Sequence, residues 1–257
     1  MLRASLVVDH KLREYVCSIE NIKSKKAHTG RLEHTDLSKE KIENSLLNLM
    51  LGDGAFPPAL KMTQVQLQPG PMADLCRAEA WAYFPVDALI GLVPVHSAAT
   101  AVALVGRHGC IVLPDAAASV QAHVVSPGRA YRRDWVGVNE DPDRFAPWLW
   151  HAAAAAQSLI GQMAQWSFCA QHHSPSQQLA SWLLYGLAQS PKTELTLSLA
   201  GLPPGIQTWL STSAEPAVSD SCGFVVDEGC LRTRRNPQLA AQACSCHTRM
   251  AHPNFAP

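Results

Sequence analysis

Apolar positions change their spacing several times along the chain, and each spacing predicts a different kind of element. Residues 42–51 open with a short amphipathic stretch, Ile42 to Leu51, that reads as one helix. From there to Arg133 the apolar runs are short or alternating and are cut by Gly and Pro: Val65-Gln66-Leu67-Gln68-Pro69-Gly70, Ala80-Trp81-Ala82-Tyr83-Phe84-Pro85, Val102-Ala103-Leu104-Val105-Gly106 and Val120-Gln121-Ala122-His123-Val124-Val125. Strand-length runs with a turn signal about every ten residues predict an all-β sandwich or barrel. Residues 141–170 then switch to spacings of four and three, with Phe145, Leu149, Ala152, Ala156, Leu159, Met163, Trp166 and Ala170 on one line. That is a heptad seam, preceded by the helix-start residues Asp141, Pro142 and Asp143. Small residues on it, with Gly161 beside them, favour close approach of a second helix, so the stretch reads as a symmetric dimer helix; the plainer alternative is a helix packed in its own core. Leu179, Trp182, Leu183 and Leu187 line one side of a second helix over 177–187. Residues 195–210 read as two short helices joined near Gly201–Gly205, and 223–235 alternate as a hairpin around Glu228-Gly229.

Composition narrows the class without naming a partner. Of 257 residues 47% are hydrophobic and 16% charged, which is globular, and Lys+Arg and Asp+Glu both number 21, so charge has meaning only region by region. Eight cysteines are too sparse for a disulfide scaffold, and residues 1–11 lack the features of a secretory signal, so the expected location is the cytoplasm with reduced thiols. The most membrane-like stretch, 88–105, carries Gly91, Pro94, His96, Ser97 and Thr100 and reads as two strands around a turn. Residues 1–41 hold nine basic and six acidic side chains among few large apolar ones and read as a solvated or poorly ordered extension with no assigned role.

Several short strings, taken in order, carry a family resemblance. They are Tyr83-Phe84-Pro85, Val105-Gly106-Arg107-His108-Gly109 and Pro127-Gly128-Arg129-Ala130-Tyr131-Arg132, then Cys169-Ala170-Gln171-His172-His173-Ser174 and Gln178-Leu179-Ala180-Ser181-Trp182-Leu183-Leu184. Leu195-Thr196, Gly223-Phe224-Val225 and Ala243-Cys244-Ser245-Cys246 follow. Across residues 42–250 this order resembles the Crp/Fnr family of transcription regulators. The resemblance implies an α+β protein with a cyclic-nucleotide-binding-like β-roll over 42–140, a dimerisation helix over 141–175 and a winged helix–turn–helix over 176–250, leaving 251–257 as a tail. It implies a homodimer that binds DNA, with no membrane association and an effector that the sequence does not name. The dimer interface would be Phe145, Leu149, Ala152, Ala156, Leu159, Met163 and Trp166.

Three departures from the family pattern change what to expect. Nucleotide-binding members hold a cyclic phosphate with a Gly-Glu pair and a following Arg, because a buried phosphate needs a guanidinium and N–H donors. Here residues 109–122 contain neither Glu nor Arg, and Asp115 is their only charge. Arg107, Arg129, Arg132 and Arg133 are nearby in sequence and read more simply as surface residues than as an anion pocket. Oxygen-sensing members ligate an iron–sulfur cluster with clustered N-terminal cysteines, whereas only Cys17 precedes Cys76 and Cys110 here. Cys169, His172, His173, Cys244, Cys246 and His247 have ligand chemistry, yet no C-x2-C pair occurs and buried Cys is commonly a small hydrophobe. The expectation is therefore no metal and no cofactor, with a metal or redox role for Cys169, His172, Cys244 and Cys246 left open.

The third departure is charge. From Pro191 to Leu231 the sole base, Lys192, stands against Glu194, Glu215, Asp220, Asp227 and Glu228, so one positive and five negative groups give −4. Phosphate neutralisation and bidentate Arg contacts dominate DNA binding, so such a helix–turn–helix starts at a disadvantage. Gln207, Thr208 and Ser211 remain as base or phosphate contacts, and positive charge returns only at Arg232, Arg234 and Arg235 on the wing. Two readings follow: a DNA-binding regulator of shallow specificity, or a dimeric interaction protein, or decayed regulator, that keeps the fold without binding DNA. No catalytic residue is assigned, since G-x-S-x-G, G-x-G-x-x-G, Walker and H-E-x-x-H motifs are all missing from the sequence.

Overall fold

The computed structural model describes residues 34–35, 42–52, 62–72, 81–94, 101–113, 120–134, 142–199, 202, 204–213, 223–227 and 229–250. The N-terminal extension, apart from 34–35, lies outside these residues, as do Cys17, Cys76, residues 114–119 within the 109–122 stretch and the 251–257 tail.

Nine short strands form two antiparallel sheets. One runs β1 (His34–Thr35), β2 (Met62–Leu67), β9 (Gly128–Asp134), β4 (Trp81–Pro85), β7 (Ile111–Leu113); the other runs β3 (Gly70–Pro71), β8 (Val120–Ser126), β5 (Leu89–Pro94), β6 (Ala103–Val105). Alternating side chains split each strand between two environments. Tyr83, Ile90, Val105, Ile111, Ala122 and Val124 meet between the sheets. Ala82, Phe84 and Tyr131 face the other way, onto helix α1 (Ser45–Gly52) and the start of the long helix α2 (Pro142–His172). Leu89, Val93, Leu104 and Val125 face outward from the second sheet, onto helix α3 (Pro175–Ala188). The chain crosses between sheets at Pro127, and Gly128 is needed there because a Cβ would collide with Asp87 and the Ala88 backbone.

Two buried amides join the helices to the roll. Asn44 caps α1, its Oδ1 accepting from Leu47 N at 2.8 Å, while its Nδ2 donates to Pro85 O (2.7 Å) and Gly109 O (3.0 Å). Gln162 of α2 pairs with the edge strand β6: its Oε1 accepts from Leu104 N, and its Nε2 donates to Leu104 O (3.1 Å) and to the Tyr185 hydroxyl (2.7 Å).

α3 begins at a capping box, in which Ser174 accepts from Gln177 N and the Gln177 side chain accepts from Ser174 N, with Pro175 in the first turn. Beyond it a third sheet is ordered β10 (Glu194–Ser198), β12 (Cys230–Arg234), β11 (Phe224–Asp227), with helices α4 (Pro204–Ser213), α5 (Pro237–Gln242) and α6 (Cys246–Met250) around it. The expected hairpin is present, and Gly229 takes φ +78° in its turn. The expected pair of helices over 195–210 is not. Residues 194–198 are a strand, with Leu195 and Leu197 buried and Glu194 exposed, paired to β12 from Glu194–Arg234 to Ser198–Cys230. Among the described residues α4 is the one helix between β10 and β11, and no described helix is long and apolar enough to cross a membrane.

Candidate functional site

The C-terminal sheet positions the basic residues. Along β12, Leu231 and Thr233 are buried while Arg232 and Arg234 alternate outward, and Arg235 is exposed just beyond. Arg232 lies opposite Thr196 and Val225, and Arg234 opposite Glu194, whose carboxylate offsets part of its charge. Glu194, Val225, Arg232 and Arg234 rim an open groove of about 410 Å³ that also takes in Gly223, Asn236 and Gln238. On α4, Ile206 and Leu210 are buried and Thr208 and Ser211 exposed. Gln207 is half-buried, and its Nε2 donates to Leu202 O at 2.7 Å. Ser211 Oγ donates to Thr208 O at 2.8 Å. Two of the three polar side chains expected to reach DNA are thus bonded to their own backbone.

The long helix presents two contrasting faces. Trp148, Ala155, Gln162 and Cys169, spaced by seven, are buried in the chain's own core. Opposite them, Trp150 is 76% and Ile160 65% exposed, with Leu149 and Phe168 also outside and Ala153, Ala156 and Ala164 between. The seam read from sequence runs along the border of these faces. Leu149 and Ala156 point outward; Ala152, Leu159 and Trp166 pack against the chain's own clusters, Met163 is half-buried, and the Phe145 side chain lies outside the described residues. A 4-3 spacing does not distinguish neighbouring heptad stripes, and the polar Gln162 disguised the buried one.

Two of the arginines near the roll are engaged by the chain's own side chains. Arg129 pairs with Glu43 (2.9 Å) and Asp87 (3.1 Å), and Arg132 stacks over the Trp81 ring at 4.3 Å. Where the roll meets α2 and α3, around Val105, His108, Ser158, Gln162 and Gln189, only about 20 Å³ of space is left.

One cluster is tighter than the sequence suggested. At the end of α2, Cys169 and His173 meet Cys244 and Cys246, which flank Ser245 just after α5, and their four ligand atoms all lie within 4.8 Å of one another. Cys169 Sγ is 3.6 Å from Cys244 Sγ, and Cys246 Sγ is 3.6 Å from His173 Nδ1. His172 instead stacks on Phe168, and His247 Nδ1 is bonded to Cys244 O at 2.7 Å. Burial and the neighbouring thiols push Cys169 well above the usual thiol range. Burial also opposes ionisation of Cys244, but the Ser181 hydroxyl and a Cys246 backbone hydrogen bond at its sulfur outweigh it and hold that thiol low. From sequence His173 counts among the ligand-type residues, while the open metal or redox role rests with His172; both lie on the Cys169 side of the helix, three and four residues on, and the structure brings His173 to the thiols.

No family model and no curated protein matches the sequence. Among solved structures, a CRP-family transcriptional regulator from Thermus thermophilus is similar with TM-score 0.49 and 13% identity, over 73% of this chain and 96% of that one. A CooA mutant from Carboxydothermus hydrogenoformans gives TM-score 0.45 and 8% identity over 86% and 98% of the two chains. CprK complexed with OCPA gives 0.36 and 10% over 69% and 88%. Scores and identities this low assign no function to the chain.

Proposed function

We propose that the chain is a homodimeric regulator of transcription of the Crp/Fnr type that holds DNA mainly through its wing. The observation that carries this reading is the alternation on β12, which turns Arg232 and Arg234 to solvent at the rim of the open groove, with Arg235 beside them. The order of the elements supports it: a two-sheet roll, a 31-residue helix with an uncovered apolar face, then a small module with a hairpin. In this reading residues 42–140 sense, 141–175 dimerise and 176–250 contact DNA. Thr208 supplies what base contact α4 offers, Gln207 and Ser211 contributing only after breaking their internal bonds, so specificity is shallow. The effector is not a cyclic nucleotide held in the conventional way, because 109–122 has no Glu or Arg for its phosphate.

A salt titration of binding to a selected operator and to random duplex tests the proposal. Each phosphate contact contributes roughly 0.9 to the slope of log affinity against log salt. Replacing Arg232, Arg234 and Arg235 by Ala flattens that slope clearly, whereas Thr208→Ala changes site preference and leaves it nearly intact. An unchanged slope in the arginine-free protein removes the wing from the mechanism. If the wild type binds neither duplex even at low salt, the second reading holds, a dimeric interaction protein on the same fold. The −4 charge of 191–231 and the internal bonds of Gln207 and Ser211 are what favour it.

A further inference from the structure

We propose that Cys169, His173, Cys244 and Cys246 form a structural Zn²⁺ site that ties the end of the long helix to the segment following the wing. A tetrahedral zinc with Zn–S near 2.3 Å and Zn–N near 2.0–2.1 Å requires its ligand atoms roughly 3.5–3.8 Å apart. The two separations of 3.6 Å, Cys169 Sγ to Cys244 Sγ and Cys246 Sγ to His173 Nδ1, have this length, and all pairs lie within 4.8 Å. Three sulfurs and one imidazole match the donor set of closed structural zinc sites, and four protein ligands leave no position for a substrate.

The surroundings fit the same assignment. Ser181 Oγ lies 2.9 Å from Cys244 Sγ, also accepts from Cys244 N at 2.9 Å, and so fixes the C-x-C turn. Gln165 Nε2 donates to Cys246 Sγ at 3.2 Å, and the Gln178 amide holds the His173 carbonyl at 2.8 Å. Polar groups that orient ligands and donate to thiolates are the ordinary second layer of a metal site. Residues 145–191 contain no Lys, Arg, Asp or Glu, so the long helix carries no cation beyond Arg144, at its opposite end, to offset three thiolates. A divalent ion offsets two of those three charges. The site is independent of DNA binding, and its test does not involve DNA.

The full chain, prepared reduced and without chelator, is expected to carry close to one zinc per chain by elemental analysis. Replacing zinc with cobalt should give thiolate-to-cobalt charge transfer and the intense visible bands of a tetrahedral centre. Cys246→Ser and Cys169→Ser should lose the metal, whereas Cys230→Ser and His172→Ala keep it. Since a ligand deletion can unfold the chain, His173→Cys provides a second arm: it should retain one equivalent with a stronger charge-transfer band. Chelation should lower the thermal midpoint of the wild type and leave Cys246→Ser unmoved. Wild type that stays metal-free after incubation with zinc chloride under reducing conditions overturns the proposal. So does a Cys169–Cys244 disulfide in freshly isolated protein, or undiminished zinc in Cys246→Ser.

Discussion

Single amides decide more at the residue scale here than single charges. Gln162→Ala would leave Leu104 N–H, Leu104 C=O and the Tyr185 hydroxyl without their partner in a buried place. At 1–3 kcal/mol for each stranded group, with partial relaxation, the expected loss is roughly 2–5 kcal/mol. Gln162→Met fills the space and should lose about as much, which separates hydrogen bonding from packing; denaturant unfolding measures both. Protonation acts elsewhere. Burial, reinforced by Arg107, holds His108 below its ordinary 6.5, and burial does the same to His123. The unfolded chain therefore binds more protons below that value, so the stability from keeping these rings neutral is complete above pH 6.5 and declines as pH falls through 6.5 toward the depressed folded values. His108→Gln should reduce that acid-side slope; an identical pH profile would contradict the assignment. None of this was legible in sequence. One Gln in an alanine-rich helix looks like a solvated residue, and the choice between His172 and His173 depends on helix phase that one apolar line does not fix.

Whole elements were easier to read than residues. The C-terminal hairpin was legible because Glu228-Gly229 sits between alternating runs and Gly229 supplies the positive φ its turn requires. The strand at 194–198 was not, since Leu195, Leu197, Leu199 and Leu202 satisfy both a period of two and a helical period, and only pairing with β12 decides between them. For the long helix the length was legible and the phase was not. Its uncovered stripe carries the next prediction: Ala156→Glu with Ile160→Glu puts like charges on the exposed face and should convert dimers to monomers at micromolar concentration in a sedimentation experiment. Wild type that sediments as a monomer would show that the stripe is not a subunit contact.

Over the whole molecule, the order strands, long helix, second helix and C-terminal hairpin was readable because turn spacing, heptads and one-sided apolar helix faces are local signals. The docking of these parts is not local. Residues 33–257 form one compact unit, and the apolar cluster around α3 draws Leu89, Val93, Leu104 and Val125 from the roll and Leu195, Leu197, Phe224 and Leu231 from the C-terminal sheet. Gly106 is a point of close approach in that docking: a Cβ there would collide with Gln189, and Arg107 N–H donates to Gln189 O at 2.9 Å.

That shared cluster bears on how such a chain can be taken apart and recombined. A module that folded alone could be grafted onto a different partner and could lose its own without harm. This roll cannot, because cutting after residue 174 would strip the cover from Leu89, Val93, Leu104 and Val125 and leave a greasy sheet face in water. The fragment 1–174 should therefore collect in the insoluble fraction on expression, and chimeras joined at residue 174 should fail unless the new module reproduces the α3 surface. Soluble, cooperatively unfolding 1–174 would show instead that the two halves are transplantable cassettes.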